Sequence, residues 1–480
     1  MSWMFKSLAG LSAGGALAAL FLSLAAVAAP APHKPFFLKD GDRVCFYGDS
    51  ITEQRFYPAE VQTYVLTRFP HLHVRYIDAA VGGDRVTGGW AGPIDLRLRR
   101  DVYPFHPNVV TIMLGMNDAG YQPFNPKLYN TFKTGYVHII RQLKKHLPGV
   151  RIVLLLTSPY DELGFKGGYN AVLQRYDAYV SRLGRQFHLP VVDFNTPMNR
   201  ILLEAYHQNP WGPAREFFPG RIHPSAAMEM IMAQQLLKAW GAPALVSGVK
   251  IHSGGSVRVI QSAATHISGL TRKNGALSWT QLDRSLPMPV LGLHAKWKQF
   301  LPWTIFLPPQ PNPSYTNKAA ALIDQLSGFT RQLDQERLAV TGLTAPQYNL
   351  LIDQKPIGTF TAAQLANGIN LARYFTPMLL QAYQVQNLVW EEIEVHFEAW
   401  HGVQTTLGNF GWKKPNLPVT TENSPAAAQD VLDVVRDMGH LQSAIARREM
   451  IANQPHPHHY ELVPIPVMPR PNLMARGLSK

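Results

Sequence analysis

Four short segments of the chain hold residue types suited to acyl transfer. Gly48-Asp49-Ser50-Ile51-Thr52 directly follows an apolar, β-branched run at 44–47. Glycine permits the sharp turn that carries a serine to the carboxyl edge of a sheet, and Asp49 can fix that turn by accepting backbone N–H groups. Val81-Gly82-Gly83-Asp84-Arg85-Val86 sets glycines where a backbone N–H can approach a ligand closely. Leu114-Gly115-Met116-Asn117-Asp118 ends a second apolar run, and an asparagine there can aim its amide into the same pocket. Such donors suit the oxyanion formed when an ester carbonyl is attacked. Arg221-Ile222-His223-Pro224-Ser225 supplies an imidazole able to take the serine proton. Gly-Asp-Ser alone also makes ordinary turns, but a turn serine leaves the other three segments unexplained.

The elements that must position these segments alternate. Strand patterns at 44–47, 73–77, 109–114, 152–156 and 191–193 are interleaved with helical spacing at 58–69, 130–147, 169–187 and 225–240. Such alternation predicts a parallel sheet with helices on both faces. Functional residues then belong in loops at the carboxyl ends of the strands.

Four fragments in this order and context resemble the SGNH/GDSL hydrolase family, whose four name residues match Ser50, Gly83, Asn117 and His223. The resemblance covers about 37–247. It implies a three-layer α/β/α sandwich with a parallel, flavodoxin-like sheet, and hydrolysis through an acyl-enzyme without metal or cofactor. It also implies an oxyanion hole made by the N–H of Ser50, the N–H of Gly83 and the side chain of Asn117, with Gly82 a rival to Gly83. Asp78-Ala79-Ala80 stands where many relatives have Asn-Ala-Gly. A larger departure lies at Gly220, where the family carries the aspartate that orients the histidine. Losing that acid can cost about 10⁴-fold in rate, while serine, histidine and oxyanion donors sustain the remainder. Glu216 is a nearby carboxylate that reads as a solvated loop residue.

Other side chains near these segments fit a substrate cleft: Asp49, Arg85, Trp90, Tyr121 and Phe124. For Arg85 the plainer expectation is a salt bridge with Asp84 or Asp95, and for the aromatic rings it is packing. His456, His458 and His459 are metal-binding types, but a proline-rich setting lacks the fixed geometry a metal needs.

With 46% hydrophobic and 16% charged residues, the 480-residue chain reads as globular and long enough for two to three domains. Its net charge of +13 suits acidic partners or anionic surfaces through weak, salt-sensitive attraction. No zinc-finger spacing, RNA-binding aromatic signature or long basic run accompanies it, so nucleic acid is not an expected partner. Cys45 is the one cysteine, which excludes an internal disulfide; within an apolar run it reads as a small buried hydrophobe. Lys6, the apolar stretch 8–27 and Ala26-Val27-Ala28 read as a cleaved signal peptide over 1–28, implying a secreted or periplasmic protein with no stable membrane insertion afterwards. An uncleaved anchor is the competing reading, since the stretch is nearly long enough to span a bilayer.

The hydrolase domain is expected over 29–247, followed by a strand-and-helix accessory region over 248–453 and a Pro/His-rich extended tail over 454–480. Strand patterns fall at 250–267, 278–280, 338–343, 348–353 and 357–360, with Asp353-Gln354-Lys355 as a hairpin turn. Helical spacing runs over 362–384 and 427–453, and a proline-rich surface loop over 301–313. This region is expected to shape or cover the cleft and to supply neither nucleophile nor base. The function expected is hydrolysis of small-molecule or carbohydrate esters outside the cytoplasm. A polar, aromatic-containing loop after Gly83 favours acetylated carbohydrate. The alternative is a non-catalytic or weakly active binding protein on a degenerate scaffold, and Gly220 is the feature that favours it.

Overall fold

Alternating strand and helix in the first half build one parallel sheet. The computed structural model describes residues 35–163, 167–289, 313–405 and 425–466. The expected signal peptide, nearly all of the proline-rich loop and the end of the tail lie outside them. Strands β1 (Arg43–Gly48), β2 (Arg75–Asp78), β5 (Val109–Met113), β6 (Arg151–Leu155) and β7 (Val191–Val192) form the sheet, in the order β2-β1-β5-β6-β7. All four pairings are parallel. Counted within the sheet this is the 2-1-3-4-5 order of flavodoxin-like folds, whose ligand crevice opens where the winding reverses, between the first and third strands. Here those are β1 and β5, paired up to Gly48 opposite Met113, so the turns after them lie side by side. The short ribbon β3 (Gly88–Gly89) and β4 (Gly92–Pro93) follows β2.

Helices flank this sheet. The turn helix α1 (Ser50–Glu53) leads into α2 (Phe56–Arg68), which packs against α7 (Ala226–Ala239), while α4 (Pro126–His146) packs against α5 (Tyr169–Phe187). Sequence spacing located α2, α4, α5 and α7 but not α3 (Ile94–Asp101) or α6 (Asn195–Gln208). Five arginine and aspartate residues in eight explain the miss at α3, since its buried face includes Arg97 and Asp101.

The second half adds two sheets around another core. One is antiparallel, β10 (Thr265–Lys273), β11 (Ala276–Asp283), β16 (His458–Pro464), β13 (Gln347–Ile352) and β14 (Lys355–Thr361), in the order β10-β11-β16-β13-β14. The other runs β15 (Ile369–Asn370), β12 (Gln335–Thr341), β8 (Leu245–His252), β9 (Arg258–Ala263). Val249, Ile251, Trp279, Leu338, Val340, Tyr348 and Tyr460 share this core, with Trp279 stacked on Tyr460 at 5.1 Å. The turn between β13 and β14 has positive φ at both Asp353 and Gln354, as a two-residue hairpin requires.

Two expectations need correction here. The tail beginning at 454 is extended over His458–Pro464 as expected, but it is no separate appendage, because that segment inserts as a central strand between β11 and β13. Tyr460 and Leu462 point into the core from it, a two-residue alternation that the flanking prolines and histidines hide. The single helix expected over 362–384 is two: α10 (Ala362–Asn367) and α11 (Pro377–Phe397). Gly368, at φ +87°, ends the first, and Pro377 opens the second behind the Thr376 cap. Helices α8 (Pro313–Ser327) and α9 (Phe329–Leu333) were not foreseen, and α12 (Pro425–Ala452) closes the helical set.

The described residues of both halves, from Phe36 onward, belong to one compact unit. All thirteen residues of α2 are buried, because one face sits in the first core while Phe56, Ala59 and Leu66 enter the second. Ala320, Ile323, Phe329, Leu333 and Trp400 of the second half complete the first core. Buried Arg68 pairs with Asp334 at 3.0 Å, and Gln62 donates to Glu392 at 2.5 Å. A chain ending at Ser247 is therefore expected to lose cooperative folding rather than survive as a free hydrolase domain. Circular dichroism melting and size-exclusion chromatography check this: the truncated protein should aggregate or melt without a sharp transition.

Candidate active site

Strand β1 delivers Ser50 through a turn with no room for a side chain at Gly48, where a Cβ would collide with the Thr52 hydroxyl. Asp49 caps α1, its carboxylate accepting the Ile51 N–H at 3.1 Å. Burial pushes the Asp49 carboxyl up to about 7, a shift reinforced by the charges of Asp118, Asp84 and Glu53 and resisted by that N–H. Asp49 is thus a buried part of the turn and not a wall of the cleft.

His223 arrives from the loop between a 3₁₀ turn, Pro213–Glu216, and α7. Its Nε2 lies 2.7 Å from Ser50 Oγ. The loop is pinned by Ser225 N–H to Phe217 O at 2.8 Å and Asp161 N–H to Arg221 O at 3.0 Å. The Gln54 amide ties it to α1 by donating to Pro224 O at 3.3 Å. Partial burial lowers the His223 pKa from its ordinary value, opposed by the negative charge of Glu53. Nδ1 makes no hydrogen bond among the described residues. Glu216 is not its partner: the charge acting on Glu216 is Lys318. Gly220 avoids the left-handed region, and a Cβ built on it meets nothing within 4 Å.

The second and third segments converge beside Ser50. A Cβ on Gly82 would lie 3.7 Å from Ser50 Cβ, and the Gly82 carbonyl accepts Trp90 Nε1–H at 2.9 Å. Within a trans peptide the carbonyl and the next N–H point opposite ways. Trp90 therefore turns the Gly83 N–H away from itself, and no backbone carbonyl among the described residues takes it. Gly83 needs its glycine for φ +80°. Asn117 is oriented from both ends: Nδ2 donates to Asp84 O at 3.0 Å, and Oδ1 accepts the Tyr121 hydroxyl at 2.8 Å. One Nδ2 hydrogen remains for a ligand. Tyr121 in turn stacks on Tyr169 at 5.2 Å.

Arg85 does not form either salt bridge expected of it. It donates to Asn117 O at 3.2 Å, because Asp84 is taken by Arg97 at 2.8 Å and Asp95 by His138 at 2.6 Å. Arg97 is fully buried, also engages Asp101 and Ala79 O, and lies near the rings of Tyr47 and Trp400. Burial pushes the Asp84 carboxyl up to about 6 despite Arg97 beside it. Phe124 faces Arg175, whose guanidinium lies 4.7 Å from its ring centre. Sequence reasoning missed Glu53, one helical turn from Ser50, and His401, which contacts Glu53 at 2.7 Å. The i, i+3 spacing from Ser50 was a usable signal for Glu53, whereas nothing local marks a histidine some 350 residues away. Among the described residues no group of His, Cys, Asp and Glu is arranged to hold a metal ion.

This arrangement presents a hydroxyl hydrogen-bonded to an imidazole, with oriented amide donors alongside, as acyl transfer demands. Residues 46–230 match the GDSL-like Lipase/Acylhydrolase family. The chain carries a domain of that family and is an ester-hydrolysing enzyme. A curated relative, an acetylxylan esterase of Geobacillus stearothermophilus, is 27% identical over 220 residues, spanning 42% of this chain and 94% of its own. A solved structure described as a gut microbial diltiazem-metabolizing enzyme is 26% identical, with a TM-score of 0.73, over 90% of this chain and 99% of that one. Its resemblance extends well beyond the parallel-sheet domain.

The Tyr121 hydroxyl is the lever on Asn117. Tyr121→Phe should lower kcat about fivefold, the loss of roughly 1 kcal/mol from one neutral hydrogen bond, with KM nearly unchanged. Steady-state kinetics on p-nitrophenyl acetate measure both; an effect confined to KM would place Tyr121 in substrate binding instead.

Proposed function

We propose that the protein is an exported serine esterase that deacylates small carboxylic esters, acetylated carbohydrate among them, through an acyl-enzyme on Ser50. The observation that carries this reading is the 2.7 Å contact between Ser50 Oγ and His223 Nε2. His223 removes the hydroxyl proton as Ser50 attacks the ester carbonyl. The oxyanion is received by the N–H groups of Ser50 and Gly83 and by Asn117 Nδ2. Collapse breaks the ester bond, His223 passes its proton to the leaving alcohol, and water repeats the sequence to free the acid. The acetylxylan esterase relative supports a short acyl group on a sugar. Exposed Trp90 and Tyr121, bonded to Gly82 O and Asn117 Oδ1, suit stacking against a sugar face. Export is supported by the apolar stretch 8–27 and its Ala-Val-Ala end.

Ser50→Ala should abolish p-nitrophenyl acetate turnover and fluorophosphonate labelling while circular dichroism stays unchanged. Full activity in that variant would remove the serine mechanism.

The acid's absence at position 220 favours a second reading, a weakly active binding protein on the same scaffold. A depressed His223 pKa keeps the base neutral to lower pH, so the acid limb of kcat/KM should fall below the ordinary histidine range of about 6.5. Space and backbone at Gly220 accept a side chain. Gly220→Asp should therefore raise the rate and move that limb upward, and Gly220→Ala should do neither. Equal effects of the two substitutions would mean that the position acts through the backbone alone.

A further inference from the structure

With no acid at position 220, the negative charge serving His223 must come from elsewhere, and its surroundings narrow the choice. Asp49, Asp78 and Asp84 are buried carboxyls whose charged forms burial disfavours. Arg97 is committed to Asp84 and Asp101, and Arg55 lies 3.3 Å from Glu394. Glu216 is set against Lys318. Glu53 differs from all of these. It follows Ser50 by one turn of α1, and its Oε2 would lie 2.8 Å from a Cβ on Gly82, the glycine that also abuts Ser50. Oε1 lies 2.7 Å from His401 Nε2. His401 belongs to the π-helical turn Glu398–Thr405 that continues α11. It is fixed there by Phe397, stacked at 4.5 Å, and by Trp90, edge-on at 5.6 Å.

We propose that Glu53, placed beside His401, is the positioning carboxylate that stabilises the His223 imidazolium in place of the acid missing at Gly220. This rests on the serine–histidine reading of the site. Glu53 makes no hydrogen bond to Ser50 or His223 among the described residues, so it leaves Nε2 to the serine and acts through its field. Its charge is the one that opposes the effect of burial on His223. The second half of the chain thereby contributes to the chemistry without touching substrate: His401 packs against Glu53, and the same ring contacts Trp90, which orients the Gly82–Gly83 peptide.

The test is the pH dependence of kcat/KM for p-nitrophenyl acetate in the full-length protein, comparing wild type with Glu53→Gln, Glu53→Asp, Gly220→Asp and Glu53→Gln/Gly220→Asp. Glu53→Gln, which keeps shape and removes charge, should cut the plateau about tenfold and move the acid limb down by about one pH unit. Glu53→Asp should retain most of both, and Gly220→Asp should restore both in the double variant. Should Glu53→Gln melt early, Glu53→Ala supplies the same comparison. An unmoved acid limb in a folded charge-removed variant overturns the assignment, even where the rate falls, because a merely structural carboxylate changes rate without changing the base. Ser50→Ala separates the two levels. Turnover persisting in it defeats the serine mechanism, whereas a dead Ser50→Ala beside an unmoved Glu53→Gln limb defeats the role of Glu53 alone.

Discussion

Helix α2 has no solvent face, and the rest of the molecule is arranged around that constraint. A helix buried on every side must satisfy its polar residues internally. Arg68 does so with Asp334 and the Pro243 carbonyl, and Gln62 with Glu392. The first N–H groups of α2 also need acceptors; that of Tyr57 is taken by the carboxylate of Glu229, buried in α7. Because α2 follows the Ser50 turn after two residues, those contacts fix the direction from which the serine enters the site. The second half is thus part of the scaffold that aims the serine, more than an appendage to it.

Buried charge around the loop after β2 follows from the same packing. Asp84 and Asp101 share Arg97 in an interior with little water, where the desolvation of three charges is repaid only if every bond is made. Arg97 spends its donors on both carboxylates and on Ala79 O, which leaves the loop from Ala79 to Asp84 few other conformations. The Asp84 carbonyl then orients Asn117, so a salt bridge outside the cleft determines where the Asn117 amide points. Asp118 extends the network by accepting the Val86 N–H at 3.0 Å, with burial pushing its carboxyl up to about 7.

The first half was legible in the sequence because each of its elements answers one layer. Strands buried on both faces read as apolar runs, and amphipathic helices such as α5 show their spacing; its bounds at Tyr169 and Phe187 match the expected range. The segments holding Ser50, Gly83, Asn117 and His223 stood out because each follows a strand or precedes a helix. Helix α2 was legible as a helix but not as a fully buried one, since Glu60, Gln62 and Arg68 read as a solvent face unless the second core is known. Strand β16 was hidden for a similar reason: its partners lie about 100 and 180 residues away, and short-range composition pointed to a tail. His401 and Arg97 act through contacts that depend on the assembled fold, so no local pattern could have given them a role.

A field and a hydrogen bond are not equivalent substitutes for the absent acid. An aspartate at position 220 would do two things for His223: stabilise the imidazolium, and accept Nδ1–H so that Nε2 is the free base. A carboxylate that makes no hydrogen bond to the ring, as proposed for Glu53, can do only the first. Selection of the tautomer is then left to the Ser50 hydroxyl, 2.7 Å from Nε2, which favours the proton on Nδ1 only when it acts as the donor. That preference rests on one neutral hydrogen bond, worth about 1 kcal/mol, against the stronger charge-assisted bond of a full triad. On the proposed mechanism the base is electrostatically assisted but has one orienting bond fewer than in a full triad, a combination that lowers the rate without disabling the chemistry.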